Sequence, residues 1–295
     1  MASDSKIIDK ISALRTRYYE AHGDKQSLLK ILSETEVADQ VYNSNAIENS
    51  TLTLEETEKL LMQIELDRYL TEREMFEAKN LARVIEYIEK IAPEREISVD
   101  VMLLLHKMLI TNIRDAIAGR FRSDNEWVKV GNHLAPNPKF VPELIDKLLI
   151  NYFSDTKSSI VTRLARFHLE FENIHPFVDG NGRIGRVLNN YLLIRSGYVP
   201  INIKFIDRVL YYQAFSDYSA NGSIDVMQDI VAKALTNSYH KRLAYMEGKK
   251  IVSLPEYAKL TNSSPSNIAN KANRQTIEAF LEKGVWKIGY ETTKK

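Results

Sequence analysis

The chain has 295 residues, 44% of them hydrophobic, and a formal net charge of +1. That is enough apolar material for one large globular domain, or a main domain with a small appendage, and it reads as soluble. The absence of cysteine excludes disulfides and a thiolate zinc site, six scattered histidines show no paired metal spacing, and the near-neutral charge argues against a nucleic-acid or membrane partner for the chain as a whole.

No apolar run approaches a membrane span, and Met1 to Asp9 lacks the basic-then-apolar order of a secretory signal, so the cytoplasm is the default expectation. Charge is unevenly spread. From Lys249 onward nine Lys/Arg stand against four Asp/Glu, which leaves the rest of the chain net acidic and marks the tail as a different surface.

Residues 6–32 carry apolar positions at helical spacing (Ile7, Ile11, Leu14, Tyr18), broken at His22-Gly23-Asp24 before a second short helix. A further helix is expected from about Glu34, stopping at Ser50-Thr51, where polar and β-branched residues favour leaving the helix. Ser44 and Glu48 lie one turn apart on it and can face one neighbour. Helical periodicity returns in Thr53–Leu66, Thr71–Ile91 and Ser98–Ile110. The first two open on capping boxes, Thr53 with Glu56 and Thr71 with Glu74. Pro93 ends the middle one, and no βαβ pattern appears, so an antiparallel helical bundle is expected.

After Gly119 the texture changes. Trp127-Val128-Lys129-Val130, Gly131-Asn132-His133-Leu134 and Pro136-Asn137-Pro138 read as a short hairpin. Helices follow over Phe140–Phe153 and Lys157–Asn173; His168, among aromatic residues, reads as a packed, hydrogen-bonded histidine.

The run His175-Pro-Phe-Val-Asp-Gly-Asn-Gly-Arg-Ile-Gly-Arg186 then gathers what nucleotide chemistry needs. His175 supplies a base. Asp179 is a single carboxylate of the kind Mg²⁺ accepts when phosphate oxygens and water complete its shell. Gly180, Asn181 and Gly182 allow close backbone approach and a nest of N–H groups, above the N-terminus of a helix beginning near Arg183. Arg183 and Arg186 lie three apart, so both guanidiniums can reach one polyphosphate.

This run resembles the signature of the Fic family, His-x-Phe-x-(Asp/Glu)-Gly-Asn-Gly-Arg-x-x-Arg, with every specified position filled. Ser44, Glu48 and Asn49 are similar to the family's inhibitory motif, (Ser/Thr)-x-x-x-Glu-(Gly/Asn). The resemblance implies an all-α Fic-type bundle. It also implies that the hairpin, Val128 to Leu134 (Val128, Lys129, Val130, Gly131, Asn132, His133, Leu134), is a flap that pairs with an extended segment of a target protein.

The activity implied is transfer of AMP from ATP to a Ser, Thr or Tyr hydroxyl of a target protein. His175 would be the base and Asp179 the Mg²⁺ ligand, with Gly180, Asn181, Gly182, Arg183 and Arg186 on the phosphates and Glu48 inhibitory. Phe177 would anchor the loop in the core. Two alternatives stay open here: removal of AMP, alone or beside its addition, with Glu48 positioning a water, and a DNA-binding regulator whose Fic domain senses ATP. Homo-oligomerisation is left open as well.

Beyond the motif, Gly197 and Pro200 end a helix, Asp207–Ser219 and 224–245 form two more, and Glu247-Gly248-Lys249-Lys250 reads as a linker. The remainder resembles a small helix-turn-helix or winged-helix-like module. It has a first helix near Leu254, a turn at Thr261-Asn262-Ser263, a second helix from Ser264-Pro265, and a strand at Gly284–Ile288. Lys271 and Arg274, at the end of the second helix, suit contact with DNA phosphates. Asn262 and Gln275 depart from the glycines common in such modules. The expected organisation is therefore N-terminal helices with the inhibitory motif over 1–52, the Fic core over 53–247 and the small module over 248–295, the last sharing few contacts with the rest.

Overall fold

The computed structural model describes residues 2–130 and 133–291. Helices dominate, and the chain divides into two compact units, Gln40–Val231 and a second built from Met1–Asp39 with Ala232–Lys295.

Helix α1 spans Ala2–His22 and α2 spans Gln26–Ile47. The expected break before Glu34 is absent. Nothing at Ser33-Glu34 interrupts a helical backbone, and the Thr35 hydroxyl donates back to the Leu32 carbonyl at 2.9 Å, which satisfies it inside the helix. Helix α2 ends where Asn49 takes φ 68°, a left-handed stop for which Asn is suited.

In the larger unit, α3 (Leu54–Leu61) and α4 (Glu72–Ile91) both begin with complete capping boxes, Thr53 with Glu56 and Thr71 with Glu74. Helix α3 stops short of Leu66, at Met62, before Gln63 turns left-handed. Then come α5 (Val99–Ile110), a two-residue hairpin of β1 (Lys129–Val130) and β2 (His133–Leu134), α6 (Val141–Ser154), α7 (Ile160–Ile174), α8 (Asn181–Arg195) and α9 (Arg208–Asn221). The hairpin is antiparallel, with Lys129 opposite Leu134 and Val130 opposite His133.

Helix α8 is the axis of this unit. Ile184, Val187, Leu188, Tyr191, Leu192 and Leu193 are all buried on it, so apolar side chains leave it in every direction, as expected of a helix enclosed by others. Leu81, Ile85 and Ile88 of α4, Leu105 and Leu109 of α5, and Leu164, Phe167 and Phe171 of α7 complete the core. The first turn of α8, with the loop before it, is thereby fixed by the most buried element of the unit.

The second unit holds α1, the first part of α2, the end of α10 (Asp225–Met246), and the tail. The tail folds as β3 (Lys250–Ser253), α11 (Leu254–Leu260), α12 (Pro265–Asn273), β4 (Ala279–Glu282) and β5 (Val285–Tyr290), with the sheet in the order β3-β5-β4. Val252, Leu254, Ala258, Ile268, Ala272, Ala279 and Ile288 form its core. Asn262 and Gln275 take φ 51° and φ 52°, so the positions without glycine do require the left-handed region. Ser264 precedes Pro265 at the helix start, yet its side chain makes no capping bond; its hydroxyl bonds Ser266 instead, at 2.9 Å.

The expectation of few contacts across Gly248 is not met. Asn237 exchanges two hydrogen bonds with the Leu281 backbone, His240 Nδ1 pairs with the Ala279 carbonyl at 3.1 Å, and Arg17 bonds both Glu247 and Glu278. Buried Glu36 holds Lys241 at 3.1 Å and Arg242 at 2.6 Å, and Lys241 also pairs with Glu282. A linker-like composition at 247–250 thus hides a packed junction.

Candidate active site

The candidate base sits at a helix end. His175 closes α7 with φ 50° and ψ 63°, a left-handed conformation uncommon for a residue other than glycine or asparagine. Arg122, 1% exposed, holds it there: its Nε donates to the His175 carbonyl at 2.8 Å and its Nη2 to the Ile174 carbonyl at 3.1 Å, while its backbone N–H donates to Pro176 O.

The His175 ring points its Nδ1 at the main-chain oxygen of Glu172, 3.3 Å away. A carbonyl only accepts, so Nδ1 carries the proton and Nε2 keeps its lone pair. Burial, reinforced by Arg122, pushes the ring down to about 4, so it is neutral at pH 7.

The loop after His175 is shaped by three groups. Phe177 is fully buried and stacks on the His106 ring at 3.7 Å. His106 accepts from the Gly119 N–H at Nδ1 (3.0 Å) and donates from Nε2 to the Asp179 carbonyl (3.1 Å); burial pushes it down to about 4 and keeps it neutral.

Asn181 is the third. Its Oδ1 accepts from Phe177 N–H and its Nδ2 donates to the Phe177 carbonyl, both at 2.9 Å, and the residue is 2% exposed. Both ends of the Asn181 amide thus close the loop on the Phe177 backbone.

Gly180 precedes α8 at φ 82°, a left-handed conformation that favours glycine, and a Cβ there would press on Ile110 at 3.1 Å. No side chain caps α8, which leaves its first amides open for an anion.

The two arginines have different partners. Arg183 donates to Asp179 Oδ1 at 3.2 Å and lies 3.4 Å from Glu77, while Asp179 Oδ2 is also held by Arg73 at 3.2 Å. Arg186 is buried and fully engaged: Nε donates to Ser44 Oγ, Nη2 to both Ser44 O and Glu48 Oε1, each at 2.9 Å, and Nη1 to the Tyr211 hydroxyl at 3.0 Å. The two guanidiniums thus have separate partners in this structure, Asp179 and Glu77 for Arg183, and Ser44, Glu48 and Tyr211 for Arg186. The Tyr211 hydroxyl in turn shares a hydrogen bond with His168 Nε2 at 2.7 Å, which makes His168 the packed histidine its setting indicated.

Glu48 also lies against the glycine loop. A Cβ placed on Gly182 would stand 2.1 Å from Glu48 Oε1, so the carboxylate rests where a side chain at 182 would be, over the first turn of α8. Ser44 contributes its hydroxyl and carbonyl to the same arginine, and Asn49 Oδ1 accepts from Arg208 at 2.5 Å.

In the hairpin, Lys129, Val130 and Leu134 are exposed, Val128 half-buried, and His133 is anchored through Nε2 to the Asn173 carbonyl at 2.9 Å. Gly131 and Asn132 lie outside the described residues. Lys271 and Arg274 are exposed at the end of α12.

Arg122, His106, Glu172 and Tyr211 stand out only in three dimensions. Each is a single residue far in sequence from the loop or without a motif of its own, and Arg122 lies in a polar stretch, Arg120-Phe121-Arg122-Ser123-Asp124, where one more charge does not stand out.

A family model for the Fic/DOC family matches residues 96–193. A curated relative, a protein adenylyltransferase Fic of Nematostella vectensis, is 28% identical over 253 residues, covering 82% of this chain and 56% of the relative. The chain spans about half the length of the curated relatives it matches. Among solved structures, a Fic domain containing signaling protein from Bacteroides thetaiotaomicron superposes with a TM-score of 0.72 at 24% identity, covering 81% of this chain and 97% of that one. A Fic family protein from Desulfovibrio desulfuricans gives 0.64 at 20% identity, over 97% of both chains. These two likenesses establish the fold.

Proposed function

The chain carries a Fic/DOC-family domain over residues 96–193, and from that premise we propose that it is a protein adenylyltransferase, moving AMP from ATP to a hydroxyl of a target protein and held in check by Glu48. One observation carries the proposal: a carboxylate of the chain itself, Glu48, rests over Gly182 at the open N-terminus of α8 and bonds Arg186, so a place suited to an anion is held by an internal one. The adenylyl group as cargo follows from the named activity of the relatives.

Neutral His175, with its proton on Nδ1, takes the proton of an attacking Ser, Thr or Tyr hydroxyl at Nε2. The hydroxyl oxygen bonds to the α-phosphorus and pyrophosphate leaves with the electron pair of the broken bond. The backbone amides of Gly180, Asn181 and Gly182 face the charge that grows on the α-phosphoryl oxygens, a kind of contact worth about 2.7–4 kcal/mol per donor in comparable sites. Arg183 serves the β-phosphate and Arg186, once free of Glu48, the γ-phosphate.

Mg²⁺ would be held by Asp179. Among the described residues no group of three or more His, Cys, Asp or Glu side chains is gathered for a metal. A lone carboxylate, 28% exposed and held only at 3.2 Å by two arginines, fits a cation whose other ligands are nucleotide phosphates and water. When bound, the ion would neutralise phosphate charge and favour departure of pyrophosphate.

The exposed edge of the hairpin, with His133 tying it to the end of α7, supports docking of an extended target segment beside the site. DNA contact through Lys271 and Arg274 remains a separate proposal, resting on their exposure at the end of α12.

The test is incubation of the Glu48→Gly variant with α-labelled and, separately, γ-labelled ATP, with mass spectrometry of the labelled protein. Label from the α-position alone, with an added AMP mass, is expected; label from the γ-position would make the enzyme a kinase and overturn the reading.

A further inference from the structure

Glu172 has no part in the mechanism so far. It lies on the last turn of α7, three residues before His175, and its side chain is only 11% exposed. Its Oε1 is buried with no hydrogen-bond partner among the described residues, and its Oε2 is 3.7 Å from His175 Nδ1. A Cβ on Gly185 would come within 2.8 Å of Oε1, so the carboxyl is pressed between α7 and the start of α8, inside the site. A buried carboxyl without partners is costly, and the nearby ring nitrogen is the group it can serve.

We infer that Glu172 is a positioning residue for His175: its carboxylate receives the Nδ1–H of the ring and so keeps Nε2 as the nitrogen that takes the hydroxyl proton. The inference rests on the reading of His175 as the base. In the resting structure Nδ1–H reaches only the main-chain oxygen of Glu172, at a long 3.3 Å. A ring movement of about 1 Å would bring Oε2 to the 2.7–2.9 Å of a charge-assisted bond. When the hydroxyl proton arrives at Nε2, the imidazolium that forms keeps its Nδ1–H bonded to Glu172; no bond to Glu172 is made or broken.

Charged and titratable groups on the neighbouring elements decide when this carboxylate exists. Glu172 faces Glu48 after α2, Arg186 on α8 and Tyr211 on α9, while the His175 ring faces Arg122, Glu48 and His133. Burial, with the like charge of Glu48 second, pushes Glu172 up to about 8 against the pull of Arg186, so it is neutral at pH 7 while Glu48 is in place. A neutral carboxyl accepts from Nδ1–H more weakly than a carboxylate does, so in the resting structure the ring is held through the Glu172 main-chain oxygen. Glu48 thereby acts on the base as well as on Arg186, and its departure removes that like charge and favours the ionised form of Glu172.

The full chain labelled with ¹⁵N-histidine reads this directly. Titrating the His175 nitrogens in Glu48→Gly and in Glu48→Gly/Glu172→Gln should give a midpoint lower by about one pH unit or more in the double variant, with loss of the pure Nδ1–H tautomer. The same midpoint and tautomer in both would overturn the inference, even if Glu172→Gln lowers the melting temperature, since that is what a merely structural residue does.

Should Glu172→Gln not fold, the carboxyl ¹³C shift of Glu172 serves without any change at 172. It is expected to show a protonated group at pH 7 in wild type and a carboxylate in Glu48→Gly, and a protonated group in both would overturn the inference. None of these readouts needs turnover, so a failed labelling assay and a failed positioning role are told apart.

Discussion

Glu48 Oε1 and Arg186 Nη2 meet at 2.9 Å across 138 positions of sequence, and the same oxygen would stand 2.1 Å from a Cβ on Gly182. One carboxylate thus engages both the arginine proposed for the γ-phosphate and the glycine that keeps the anion cradle open. Since a buried arginine that loses one partner needs another, the proposed function makes Glu48 and a nucleotide phosphate alternatives at Arg186.

Glu48→Gly should raise labelling of the protein itself and of targets by a factor of about ten or more, because phosphates misaligned for in-line attack cost large factors in rate. Arg186→Ala should not raise it, and the double variant should behave like Arg186→Ala. Initial rates with α-labelled ATP decide this. If Glu48→Gly leaves addition unchanged and abolishes removal of AMP from a modified target, Glu48 positions a hydrolytic water instead.

Gly182→Ala separates the cradle from the inhibitor. The added methyl displaces the flexible Glu48 carboxylate but also occupies the place where phosphate oxygens approach the α8 amides. Transfer should therefore stay low, and ATP affinity should fall relative to Glu48→Gly in a calorimetric titration. Activity equal to that of Glu48→Gly would mean that the cradle lies elsewhere.

Asn181→Ala should damage the loop without removing any group that touches the nucleotide. It leaves the Phe177 N–H and carbonyl unsatisfied in a buried place, at about 1–3 kcal/mol for each such group. The melting temperature should drop, whereas His175→Ala, which empties a partly exposed position, should fold and still bind ATP. An Asn181→Ala protein as stable as wild type would contradict the clamp.

Stability should depend on pH with a definite sign. Burial pushes His106, His175 and His240 down to about 4 and His168 to about 3, from an ordinary 6.5. The unfolded chain then binds those protons first, so the contribution is fully present above about 6.5 and is lost as pH falls toward 4.

Glu172, pushed up to about 8 from an ordinary 4.5, acts in the opposite sense and loses its contribution as pH rises from about 4.5 to 8. Four histidines against one carboxyl give a melting temperature that climbs from about pH 4.5 to 6.5 and declines slightly from about 6.5 to 8. Glu172→Gln should flatten the decline. Differential scanning calorimetry at constant ionic strength checks both, and a wild-type curve still rising at about pH 8 would contradict the assignment.

The candidate site could be proposed from sequence because its groups are contiguous: the proposed base, carboxylate, nest and arginines occur within His175–Arg186. Capping boxes at Thr53 and Thr71 marked helix starts to within a residue because each is a local hydrogen-bond pattern. The pairing of Glu48 with Arg186 is not local, and only the family resemblance suggested it.

Arg122 and Glu172 were not marked as parts of the site, since an isolated arginine or glutamate has no spacing to betray it. The loop-closing role of the Asn181 side chain was hidden for a related reason: its type suits many partners, and only the distances to Phe177 single one out. The junction at Gly248 looked like a linker because its composition is polar, while the contacts that close it come from Arg17, Asn237 and His240, remote in sequence.

The central claim is that Glu48 and the γ-phosphate compete for Arg186, and the comparison of ATP with ADP affinity by isothermal titration calorimetry tests it most directly. In wild type the two nucleotides should bind with nearly equal affinity, because Arg186 is already engaged. In Glu48→Gly, ATP should bind at least about tenfold more tightly than ADP, the effect of one charge-assisted bond between Arg186 and the γ-phosphate. An ATP-to-ADP ratio that is the same in both proteins would contradict the account.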